Sequence, residues 1–176
     1  MFPPIPAWDA LHPLIVHFPI ALLIVAPILV VIGLFFRVHA PGWFGAALVV
    51  MLLGTIAAYV AIETGEDAAE LVTRTGGIPA VLERHQDLAE TTRTVFTILT
   101  VAFAALAFGP SLLKKHLALF VFRIAVTVFL LVYLGGMVLL ANTAHAGGRL
   151  VHEFGVRAAI SASAEPAAAQ PDHDDD

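Results

Sequence analysis

The sequence predicts an all-α fold, a four-helix transmembrane bundle with both termini outside the cytoplasm. Three observations predict it. Of the 176 residues, 59% are hydrophobic and 13% charged, with a mean hydropathy of +0.89, whereas a soluble domain is about 45–50% apolar and about 25% charged. Four apolar stretches approach or exceed the length needed to cross a bilayer. The charges between them segregate by sign.

The elements follow in order. Met1 to Ala10 holds three prolines and no Lys or Arg, so it lacks the basic start of a secretory signal. The spans run from about Leu14 to Phe36, Trp43 to Ile62, Thr94 to Phe108 and Leu117 to Ala141; about 20 residues cross a hydrocarbon core about 30 Å thick. Unpaired backbone groups are too costly in lipid, and continuous apolarity selects helices over barrel strands. The third helix is expected to begin well before its apolar part, near Pro79, because proline suits a first turn. Arg37–Gly42 and Gly109–His116 read as tight turns marked by Pro41-Gly42 and Gly109-Pro110. Glu63–Arg93 is a longer polar connection with a short amphipathic extracytoplasmic run, Asp67 to Arg74. Residues 1–160 form the membrane domain, and 161–176 an acidic tail too poor in apolar residues to pack.

Orientation comes from the short turns. They and the adjoining span ends carry Arg37, Lys114, Lys115 and Arg123, and all 14 acidic residues lie on the other side. Short loops dominate the positive-inside rule, so the turns are placed in the cytoplasm and both termini outside, in a bacterial inner membrane. Trp8 and Trp43 read as anchors at opposite surfaces.

The chain has no cysteine, which excludes disulfides, thiolate metal sites, iron–sulfur clusters and covalent haem attachment. No phosphate loop, nucleophilic triad or basic nucleic-acid patch is present. Histidine is the informative residue. His12, His17, His85, His145 and His152 all fall at the outer ends of helices, with Glu63 beside them. At about 1.5 Å per residue, His12 and His85 stand at matching heights and His17 about 7 Å lower. His12 and His17 cannot share a helical face, and an imidazole at the depth of His17 is expected to turn inward from lipid. His12, His17, His85 and His145 are thus the candidate ligands of a haem iron or another transition metal. Pairings of His12 with His85 and of His17 with His145 are both open, a single haem ranking above two. Surface solvation of these histidines is the plain alternative, above all for His152. Gly54 to Ala58, Gly135-Gly136 and Gly147-Gly148 permit close backbone approach, which ordinarily means helix packing. The threonines of the third helix are able to return their hydroxyls to their own backbone.

The run Leu11-His12-Pro13-Leu14-Ile15-Val16-His17-Phe18-Pro19-Ile20-Ala21-Leu22 resembles the opening of a bacterial family of four-helix membrane proteins of unknown function. A histidine before helix three, His85, and the stretch Gly147 to Val151 agree with it; His152 stands where that family usually has tyrosine. The family occurs beside c-type cytochrome domains. The resemblance therefore implies a redox setting and a haem b role for His12, His17 and His85.

Three functions are carried forward. The first is an electron-transfer subunit of a respiratory-type complex, itself non-catalytic, binding haem b near the periplasmic surface and linking quinol or quinone to a c-type cytochrome. The second is a cofactor-free subunit anchoring a larger membrane complex. The third is a copper or zinc protein using histidine and Glu63, although no cysteine or methionine is near to suit Cu(I). Lipid is a partner in every case, and nucleic acid in none.

Overall fold

A computed structural model describes residues 8–114 and 118–156. The acidic tail, the boundary expected at residue 160, and Lys115, His116 and Leu117 lie outside the described residues.

The described chain is helical throughout and holds four helices long and apolar enough to cross a membrane. After a 3-10 turn at Trp8–Ala10, a short helix α1 (His12–Ile15) leads into α2 (His17–Phe35). Then come α3 (Ala40–Glu70), α4 (Ile78–Leu112) and α5 (Leu119–His152). The spans alternate in direction, so Trp8, the Leu71–Gly77 connection and Val156 share one end of the bundle, here the histidine end. The other end holds the two tight turns.

Prolines shape the first span. Pro13 takes the first turn of α1, where its missing N–H leaves nothing unbonded. Pro19 has no N–H to give the Ile15 carbonyl, so the hydrogen-bond ladder is interrupted there while the backbone at Val16 stays αR. Pro27 lies inside α2 and deprives the Leu23 carbonyl of its donor. The buried hydroxyl of Tyr133 on α5 donates to that carbonyl at 2.8 Å, so a backbone defect becomes a link between helices.

The helices are longer than the apolar stretches. α3 continues to Glu70 and takes in half of the amphipathic run expected as a separate segment. Ala and Glu are good helix formers, and beyond the bilayer water satisfies their polar face. Gly76, at φ 57, makes the turn that follows. α4 runs through Gly109-Pro110, and the turn comes later, where Lys114 adopts φ 52. α5 passes Gly147-Gly148 unbroken and ends only at His152.

α2 packs chiefly on α3 and α4 on α5, two hairpins joined along α3–α4 and, more thinly, along α2–α5. The core is a column of aromatic and aliphatic side chains. Phe44 meets Phe103 edge-on at 6.1 Å, and Phe96 meets Tyr133 in the same way at 5.3 Å. Leu52, Ile56, Leu131 and Val132 point outward, as lipid permits and water does not. In α4, Thr91, Thr94, Thr97 and Thr100 each return the hydroxyl to the carbonyl four residues back. The stripe is locally satisfied rather than a polar path. Thr100 is also met by Thr55 Oγ1 at 2.9 Å, a polar link between α3 and α4 in the membrane interior.

Candidate functional site

The histidine end brings two imidazoles together. His12 projects from α1 and His85 from the second turn of α4. Their ring centres lie 6.4 Å apart and their planes meet at 77°. Both are partly buried, and they stand on helices that do not follow one another in the chain.

Each ring is fixed by the hairpin that carries it. His12 Nδ1 donates to the Ala61 carbonyl at 2.8 Å, with Thr64 Oγ1 3.4 Å from the same nitrogen. His85 Nδ1 donates to the Thr143 carbonyl at 3.0 Å. Thr143 is itself tied down, its hydroxyl 2.7 Å from that of buried Thr92. A neutral imidazole has one N–H and one lone-pair nitrogen. With Nδ1 donating in both, Nε2 is the lone-pair nitrogen in both, and it has no hydrogen-bond partner among the described residues. A carbonyl behind Nδ1 is the usual way proteins orient a metal-binding histidine.

Two glycines make the arrangement possible. A Cβ on Gly65 would lie 2.8 Å from Cε1 and 3.0 Å from Nδ1 of His12. One on Gly147 would lie 2.9 Å from Cε1 of His85. Neither position admits alanine without moving its imidazole. Gly147 is therefore a seat for a ring rather than a point of helix contact. The sequence carries no signal for this, because glycine in a membrane helix ordinarily reads as packing. Gly54 and Gly136 do serve packing: their α-carbons face Leu23 and Leu99.

The other candidates stand apart. His17, expected to turn inward, is exposed: the backbone through Val16 stays αR, so with His12 turned inward the position five residues on lies about 140° round and points outward. At the end of a span an outward imidazole reaches the polar headgroup region, which removes the cost that the expectation rested on. His145, His152 and Glu63 are exposed as well. His17 and His145 therefore do not form a second inward pair. Near His145, Arg149 and Glu153 make an exposed ion pair, Nε 2.9 Å from both carboxylate oxygens and Nη2 2.8 Å from Oε2. The guanidinium holds the Glu153 carboxyl below the usual carboxylate range.

The molecule is thus a polytopic helical membrane protein with a pair of tautomer-fixed histidines at one end of its bundle. Residues 8–159 match the family described as Predicted membrane protein (DUF2231), and the chain belongs to it. No curated protein and no solved structure matches the chain.

Proposed function

We propose that this protein is a membrane electron-transfer subunit that binds one haem b through His12 and His85 at the extracytoplasmic end of the bundle. In this reading it links a quinol to a c-type cytochrome within a respiratory-type complex of a bacterial inner membrane. The observation that carries the proposal is the His12–His85 pair. Metal–imidazole nitrogen bonds are about 2 Å long, so two imidazoles on opposite sides of one metal atom have centres roughly 6 Å apart; these are 6.4 Å apart. His12 and His85 stand on different helices, as side chains that would hold a haem in a helical bundle do.

The count of ligands favours haem over zinc. A structural zinc site wants four protein ligands and a catalytic one three. Among the described residues no group of three or more His, Cys, Asp or Glu side chains is placed to hold a metal. Two imidazoles suit a metal that brings its own four-nitrogen ring.

When bound, haem supplies reversible one-electron chemistry at iron. The chain's part is to hold and tune. Nε2 of His12 and of His85 are the atoms that would hold the iron. The carbonyls of Ala61 and Thr143 fix the tautomer and raise ring basicity. With the termini outside, the site faces periplasmic partners.

The test is the reduced-minus-oxidised visible spectrum of protein purified from haem-supplied cells. A b-type spectrum is expected. His12→Ala and His85→Ala should abolish it or convert it to a high-spin form, whereas His17→Ala and His145→Ala should leave it unchanged. Folded protein with no Soret band overturns the proposal and leaves a structural subunit in its place.

A further inference from the structure

The two hairpins are built alike around the histidines. In each, a histidine on the first helix donates from Nδ1 to a carbonyl on the second, Ala61 or Thr143. In each, the residue one turn beyond that carbonyl is the glycine that seats the ring, Gly65 or Gly147. The likeness extends down the membrane. The shift along the chain that carries His12 to His85 also carries buried Leu23 to Phe96 and buried Val30 to Phe103. The shift that carries Ala61 to Thr143 carries Gly54 to Gly136, and both of those glycines pack against the first helix of their own hairpin. The hairpins run in the same direction through the membrane, so an approximate twofold axis along the bundle relates them and passes between the two rings.

We infer that Gly65 and Gly147 are equivalent positioning residues of two matched half-sites, and that the ligand is a single body on the twofold axis with two equivalent opposite faces. The two axial positions of one metal atom have this form. The inference rests on the His12–His85 reading and deepens it: one ligand per chain, held equally by both hairpins, with each glycine acting through its own imidazole. An added Cβ pushes the ring from its carbonyl, and with the hydrogen bond goes the preference for a lone pair on Nε2. The halves are not identical in their outer support. Thr64 backs His12 where Ala146 stands in the second hairpin, and Thr92 backs Thr143 where Pro19 stands in the first. Equivalence therefore concerns the glycine, the carbonyl and the ring.

The experiment uses the full chain labelled with ¹⁵N-histidine in detergent, first without ligand and then titrated with ferric protoporphyrin IX. Two ring signals with protonated Nδ1 and bare Nε2 are expected in the unliganded protein. Gly65→Ala should displace only the His12 signal and Gly147→Ala only that of His85. Each should weaken porphyrin binding by a similar factor, about 10–100-fold, at a stoichiometry of one per chain. Wild-type rings lacking the Nδ1–H tautomer overturn the inference even if either alanine variant fails to fold. So does a stoichiometry of two, or an effect confined to one glycine; in those cases haem binding itself stands. Correct ring signals and glycine effects without porphyrin uptake would sink the haem reading and leave the matched half-sites.

Discussion

Tyr133 donates its hydroxyl to the Leu23 carbonyl, the acceptor that Pro27 leaves without a helical partner. The bond crosses from α5 to α2, along the thinner of the two seams between hairpins. Tyr133→Phe should cost about 1–3 kcal/mol, because a buried carbonyl is left unsatisfied. Pro27→Ala restores a donor to Leu23, so the tyrosine substitution should cost measurably less in that background. Thermal melts of the four proteins in detergent give the coupling; additive losses would mean that the hydroxyl does not serve that carbonyl.

Adjacent glycines on α5 should respond differently to a large side chain. A Cβ at Gly136 meets Leu99 at 3.1 Å, whereas Gly135 has nothing within 4 Å. Gly136→Leu is expected to lower stability by about 1–3 kcal/mol through overpacking, and Gly135→Leu to leave the melting temperature nearly unchanged. Equal effects at the two positions would remove the packing argument.

The link between Thr55 and Thr100 is directional. Thr100 gives its proton to the Phe96 carbonyl, so Thr55 is the donor across the 2.9 Å contact. Thr55→Val should destabilise the bundle by about 0.6 kcal/mol, the usual scale for such bonds in membranes. Thr55→Ser should retain most of it. Denaturation in mixed micelles with the valine variant no weaker than the serine would count against the bond.

Orientation is open to labelling, since the chain has no cysteine of its own. Thr75→Cys, in the connection at the histidine end, should react with an impermeant maleimide in spheroplasts. Ser111→Cys, at the turn end, should react only after lysis. The reverse pattern would turn the histidine pair toward the cytoplasm and rule out a periplasmic electron partner.

Much of this architecture is readable in the chain, for identifiable reasons. The spans follow from apolar length, and the matching heights of His12 and His85 from helical rise alone. Helix ends were less legible: Asp67 to Glu70 and Gly147-Gly148 look like interruptions, yet they continue helices that project beyond the bilayer. The outward facing of His17 follows once His12 turns inward, because the backbone between them stays αR and five residues set the two about 140° apart; which of the two turns inward is decided by tertiary packing. The seats for the imidazoles are hidden for the same reason. Gly65 and Gly147 acquire their meaning only when another helix brings a ring to them.

The two rings meet edge-on across the boundary between hairpins, so anything that bonded to both would act mechanically. Whatever bonds to both is a latch on the assembled bundle, since neither hairpin alone offers it more than one point of attachment. A ligand that binds only the closed form adds its binding free energy to closure, about 2.7 kcal/mol at a hundred times its dissociation constant.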